Sequence, residues 1–231
     1  MIKLFEKLLN LIYIQPCFFC GSKKDDDIIC TDCRSKIHFL PPGVFRVDLG
    51  CDIYVCCLYD EIIKKLIKDF KYHNKKKLCI LQARLMYEYW QKLNKKESFL
   101  ILPVPIHQAR RKERKYNHMD LTAREFSNLT GYKTNTNFLI RIKDTQNQFK
   151  LHKQERIKNT VNAFDTNPIE KIDKNTNILI IDDITSTGIT LKEIIKLLKT
   201  QGYNNITALT LSTPDIWNCS RRETEEAVCF S

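Results

Sequence analysis

An α/β fold, with a mostly parallel sheet flanked by helices and a small N-terminal cysteine module, is predicted by three observations in this 231-residue sequence. Short apolar strands alternate with amphipathic helical stretches, the pattern of strands joined by crossover helices. One of them, "ILII" at 178–181, is apolar at every position, as a strand covered on both faces must be. Four cysteines stand in two close pairs ahead of the first strand.

The elements follow in order. Leu4, Phe5, Leu8, Leu9 and Ile12 share one helical face, so residues 1–16 are expected as a helix docked on its own protein rather than a membrane-surface anchor. Glu6 and Lys7 interrupt the stretch, and no small-residue cleavage site follows, so a signal peptide is not expected. The cysteine module occupies 17–38, and "PPGVF" at 41–45 is the expected domain break. This divides the chain into a 1–45 module, a 46–216 domain and a 217–231 tail. "CDIYVCCL" at 51–58 reads as a strand. Tyr59, Ile62, Ile63, Leu66, Ile67 and Phe70 form a helical stripe, with Lys64, Lys65, Lys68 and Lys71 facing elsewhere. A second helix covers 78–93, and "SFLILPVP" is a buried strand ended by Pro103 and Pro105. A basic loop over 107–117, a helix to Leu129 stopped by Gly131, and a strand over 137–142 come next. A loop-and-turn stretch fills 143–164, and "NITALTLS" at 205–212 supplies the last strand.

No apolar run approaches the ~18 residues of a membrane helix. Ten cysteines without a secretion signal point to reduced thiols and a cytoplasmic protein, with Cys51, Cys56, Cys57, Cys79, Cys219 and Cys229 as scattered thiols. Between Glu61 and Asp120 there are 16 Lys and Arg against 6 Asp and Glu, nearly the whole net charge of +11. A polyanion is the simplest use for such a surface, although lysine-rich composition alone gives the same count. The nucleic-acid candidates are Lys64, Lys68, Lys71, Lys75, Lys76 and Lys77, with Tyr72 to stack a base.

In "CFFCGSKKDDDIICTDC", Cys17, Cys20, Cys30 and Cys33 supply four thiolates for a tetrahedral zinc, and Gly21 permits the tight turn after the second. A redox dithiol and unrelated buried cysteines are the competing readings; two pairs within 17 residues favour zinc.

"ILIIDDITSTGIT" places Asp182 and Asp183 at the end of the buried strand. Thr185, Ser186, Thr187, Gly188 and Thr190 follow in a loop that opens a helix. Free N–H groups and the helix dipole there favour an anion. A phosphate loop of G-x-x-x-x-G-K-[ST] type is missing, as is G-x-G-x-x-G. A phosphorylated sugar remains: the carboxylates accept from neighbouring hydroxyls while the loop grips a phosphate.

The stretch resembles the thirteen-residue motif by which type I phosphoribosyltransferases bind phosphoribosyl pyrophosphate. That resemblance implies Asp182 and Asp183 on the ribose 2- and 3-hydroxyls, Thr185 to Thr190 around the 5-phosphate, and magnesium carried on the pyrophosphate. The cysteine module, "LPVPIHQARRKERKYNHMDLTA" and "RIKDTQNQFKLHKQERIKNTVNAF" (with Thr145, Gln148, Leu151, Arg156, Asn159 and Phe164) together resemble the ComF-like competence proteins. It implies a pyrophosphate or basic loop at Val104, Pro105, Arg110, Arg111, Arg114 and Lys115. It further implies work on single-stranded DNA at the cytoplasmic face of the inner membrane, with a helicase or channel as partner. A working phosphoribosyltransferase of nucleotide metabolism and a structural adaptor are the alternatives. Lys115 and His118 stand where the family has glycine and glutamine, and a solvent-facing His118 is expected rather than a general base.

Overall fold

The computed structural model describes residues 16–23, 25, 27–143 and 162–214. The helix expected over 1–16 (all but its last residue), Thr145, Gln148, Leu151, Arg156, Asn159 and the tail from Trp217 lie outside the described residues.

Strands β1 (Arg46–Asp48), β2 (Cys51–Leu58), β3 (Leu100–Pro103), β4 (Lys133–Thr134), β7 (Ile178–Ile184) and β8 (Ile206–Thr213) form one sheet in the order β1-β2-β8-β7-β3-β4. β1 pairs antiparallel and the other pairings are parallel. β5 (Leu139–Arg141) and β6 (Phe164–Thr166) make a separate antiparallel pair. β7 is central, hydrogen-bonded to β8 on one side and β3 on the other, which is why Ile178 to Ile181 are all fully buried.

The strand's two-residue period divides the core. Leu179 and Ile181 join Phe70 of α2 (Glu61–Tyr72), Leu85 of α3 (Leu78–Lys92) and Phe126 of α5 (His118–Thr130) on one face. Ile178 and Ile180 meet Leu191, Ile194, Ile195 and Leu198 of α6 (Ile189–Thr200) on the other. From β3 the chain leaves through α5 toward β4; from β7 it leaves through α6, on the opposite face, toward β8. The connections diverge between these two neighbouring strands, and such a divergence opens a crevice at the carboxyl ends of the strands.

The cysteine module, with its short helix α1 (Thr31–Arg34), adds Ile28, Ile29 and Ile37 to the same apolar cluster as Phe70 and Leu78. Arg34 pairs with Glu88, Arg84 with Asp27, and Phe39 bridges Cys57, so residues on both sides of the 41–45 break are tied together. Among the described residues, no helix is long and apolar enough to cross a membrane.

The basic loop expected over 107–117 is in fact mostly a helix, α4 (Gln108–Arg114). Gln, Ala, Arg, Lys and Glu are all strong helix formers, and the His107 side chain accepts from the Ala109 N–H at its start.

Candidate functional site

The crevice between β3 and β7 opens into a cavity of about 310 Å³. Asp182 and Asp183, at the carboxyl end of β7, line it together with Ser186 and Thr190 of the following loop. Asp183 is 4% exposed, and its Oδ2 accepts from His118 Nε2 at 2.6 Å and pairs with Lys71 Nζ at 2.5 Å. Burial pushes the Asp183 carboxyl up, but the Lys71 ammonium and the His118 imidazole outweigh it and hold the group well below the usual carboxylate range. Asp182 goes the other way, raised by burial and by the adjacent Asp183 carboxylate. Burial also lowers His118 despite the pull of Asp183. With the Asp183 carboxylate as acceptor, Nε2 is the donor of this bond, and Nδ1 is buried with no partner among the described residues. Only Oδ2 of Asp183 is engaged among the described residues, so Oδ1 is left for a ligand.

Two sequence expectations are corrected here. His118 is not solvent-facing: it begins α5, after the Asn117 cap, and is 4% exposed beside the end of β7. Lys71 is not a surface lysine: one residue past the buried Phe70, it reaches into the crevice with its side chain 13% exposed. Neither position carries a sequence signal that separates an inward side chain from its basic neighbours.

The loop after β7 is held from outside the cavity. The Thr185 N–H donates to the Ser212 carbonyl at 2.9 Å, and its buried hydroxyl has no partner among the described residues. Gly188 caps α6 in the left-handed conformation, φ 72°. Arg46, a residue sequence reasoning missed, reaches over from β1, where it pairs with Asp48 at 2.7 Å, to donate to the Thr187 carbonyl at 3.5 Å. A methyl group on Gly188 would fall 1.5 Å from Arg46 Nη2. Gly188→Ala should therefore lose about 1–3 kcal/mol in urea denaturation, from backbone strain and the displaced guanidinium. Gly43→Ala, where nothing stands within 4 Å, should stay within about 0.5 kcal/mol.

Val104, Pro105, Arg110 and Arg114 line the same cavity. Asn117 fastens this stretch by donating to the Val104 carbonyl at 3.2 Å and to Asp120 at 2.7 Å. Arg111 turns away to pair with Asp120 at 3.2 Å. Lys115 does not line this cavity; it ends α4 in the left-handed conformation, φ 64°, which costs a side-chain-bearing residue about 1–2 kcal/mol relative to glycine. Arg141 of β5 and the apolar side chains of Tyr59, Ile106, Met119, Ile184 and Pro214 also line the cavity.

The remaining nucleic-acid candidates stay on the surface. Lys64 pairs with Glu61 at 3.4 Å, and Lys68 and Lys77 are exposed. Lys75 pairs with Asp69 at 3.1 Å and lies 4.5 Å over the Phe18 ring, while Lys76 lies 5.3 Å over Tyr116. Tyr72 is 47% exposed beneath the Arg114 guanidinium.

The ligand sulfurs of Cys17, Cys20, Cys30 and Cys33 all lie within 4.8 Å of one another, and Cys20 and Cys30 approach to 3.6 Å. Zn–S bonds of about 2.3 Å give a tetrahedron whose edge is about 3.8 Å, so the four fit a metal such as zinc. Gly21, at φ 73°, donates to the Cys17 carbonyl and closes the turn.

The family described as "Phosphoribosyl transferase domain" matches residues 120–226. Competence protein F of Haemophilus influenzae is 30% identical over 152 residues, 64% of this chain and 66% of that protein. Competence protein ComFC of Bacillus subtilis is 23% identical over 203 residues, 78% of this chain and 81% of its own length. UMP synthase of Leishmania donovani matches in structure at 17% identity and a TM-score of 0.38, over 84% of this chain and 32% of its own. The chain is a ComF-like protein with a phosphoribosyltransferase-like domain.

Proposed function

We propose that the crevice binds phosphoribosyl pyrophosphate and that the protein serves the cytoplasmic handling of single-stranded DNA in natural transformation. The observation that carries the first half is the Asp182–Asp183 pair at the divergence of β3 and β7, lining one cavity together with Arg110 and Arg114. Ribose hydroxyls would donate to Asp182 and to Asp183 Oδ1, and Ser186, Thr190 and the start of α6 would take the 5-phosphate. Arg110 and Arg114 would meet the pyrophosphate. Both carboxyl groups are hard oxygen donors, which suits magnesium carried in on that pyrophosphate. The names of the two bacterial relatives and the exposed lysines of α2 and the turn after it support the second half.

Calorimetry with phosphoribosyl pyrophosphate and magnesium should register one site per chain. A folded sample giving no heat would remove the sugar-phosphate reading. A second reading, transfer of the sugar phosphate to a nitrogen base, is favoured by the apolar wall of Tyr59, Ile106, Met119 and Pro214, which offers a face for a planar ring. It requires pyrophosphate to appear in solution when base and sugar are mixed with the protein.

A further inference from the structure

A second cavity, of about 240 Å³, adjoins the first: Lys71, Tyr72 and Arg114 line both. Its own residues include Asn74, Lys115 and Tyr116. Two of these are strained. Asn74 and Lys115 have φ of 53° and 64°, two of the five left-handed non-glycine residues among those described. Asparagine tolerates that conformation; lysine does not do so readily. Strain held at a cavity wall points to a use for the side chain. Lys115 is exposed, with no ion pair or hydrogen bond among the described residues. Arg114 lies 4.8 Å over Tyr72, and Lys76 lies 5.3 Å over Tyr116. The wall therefore combines several cations, one carboxylate (Glu113) and an exposed aromatic ring. That is the chemistry that holds a phosphate while a base stacks beside it.

We propose that this second cavity seats a nucleotide phosphate, with Lys115 as its dedicated cation and Tyr72 with Arg114 as the stacking surface. The inference rests on the DNA-handling reading and gives it a place: the strand would lie directly beside the sugar-phosphate pocket, with Lys71 and Arg114 between them. The phosphate belongs either to a single strand or to a free nucleotide, and the test separates the two.

Anisotropy of labelled, 5′-phosphorylated (dT)10 and calorimetry of dTMP would be measured on wild type, Lys115→Gly and Arg114→Gln. Glycine suits the left-handed position, so the first variant should melt at the wild-type temperature or above, and a loss of binding could not be a loss of folding. The expected result is (dT)10 affinity lower by about fivefold in Lys115→Gly, with the slope of log K against log salt reduced by roughly one. A parallel loss for dTMP assigns a free nucleotide's phosphate as sufficient; a loss for (dT)10 alone assigns the strand. Wild type that binds dTMP but no strand would remove the DNA-handling reading and keep the cavity. Both ligands binding the two variants as they bind wild type, or neither binding wild type, would overturn the proposal. Binding of phosphoribosyl pyrophosphate by wild type is scored separately.

Discussion

Asp183→Asn should weaken phosphoribosyl pyrophosphate binding by about 100-fold and destabilise the folded chain at the same time. The two losses have different causes. The first is the removal of a charged acceptor for a ribose hydroxyl. The second arises because Lys71, 13% exposed, and His118, 5% exposed, would be left around a neutral amide. Removing one partner of a buried ion pair costs about 3–5 kcal/mol, which in a chain of this size is a fall in Tm of roughly 6–20 °C. Lys71→Met added to Asp183→Asn should restore much of the stability, since no unpaired charge remains, and none of the binding. Additive losses in the double variant would mean that Lys71 is not the counter-ion.

The pH dependence follows from the opposite shifts. Asp183 is held below its ordinary value, so its contribution is present above about pH 4 and lost as pH falls through the folded value. The gap in Tm between wild type and Asp183→Asn should narrow below that point. Asp182 is raised, so its ionisation costs stability as pH rises past the ordinary carboxylate value and through the folded one. Asp182→Asn should accordingly melt higher than wild type at pH 8 and alike at pH 4, while binding no sugar phosphate. Thermal melts across that range check both signs.

What was legible in the sequence was whatever depends on local period and local chemistry. A strand apolar at every position has to be central, and Ile178 to Ile181 lie between β3 and β8. A glycine amid hydroxyls at a helix start is readable because the left-handed cap at Gly188 selects it. The paired cysteines are readable because metal ligands recur at fixed spacing, and their sulfurs do converge. Long-range partners left no such trace. Lys71 sits among lysines that all look solvated, and only the packing of α2 against the sheet turns that one onto Asp183, 112 positions away. Arg46 lies 141 residues from the Thr187 carbonyl that it reaches, in a three-residue strand with no period to read. His118 was misjudged because its basic neighbours suggest a wet surface, whereas the helix that it begins presents this position to the end of β7. The helix α4 was hidden by its charge: a run of Arg and Lys reads as a loop when no apolar stripe marks a buried face, and none of its residues is buried.

Stripping metal from the purified protein should lower Tm by more than about 10 °C and weaken phosphoribosyl pyrophosphate binding, although the cysteines do not line the cavity between β3 and β7. Elemental analysis should first find one zinc per chain. Structural zinc supplies roughly 10–16 kcal/mol in isolated zinc-finger peptides. Here part of the module's stability comes instead from Ile28, Ile29 and Ile37 within the common core. Without the ion, the four sulfurs lose the common centre that holds them within 4.8 Å of one another, and the turn through Gly21 loses its fastening. The consequence reaches the site through α2. The Phe18 ring of the module lies under Lys65 at 5.0 Å and Lys75 at 4.5 Å, and the module's apolar residues share a cluster with Phe70. Lys71 follows Phe70 directly, so a loosened α2 frees the ammonium from Asp183 and spoils the charge balance that holds the carboxylate ready. Re-addition of zinc should restore Tm and affinity together. Purified protein with no metal, an unchanged Tm after chelation and full sugar-phosphate binding would mean that the four cysteines are only free thiols, three of them buried, and that the module supports the site by apolar contact alone.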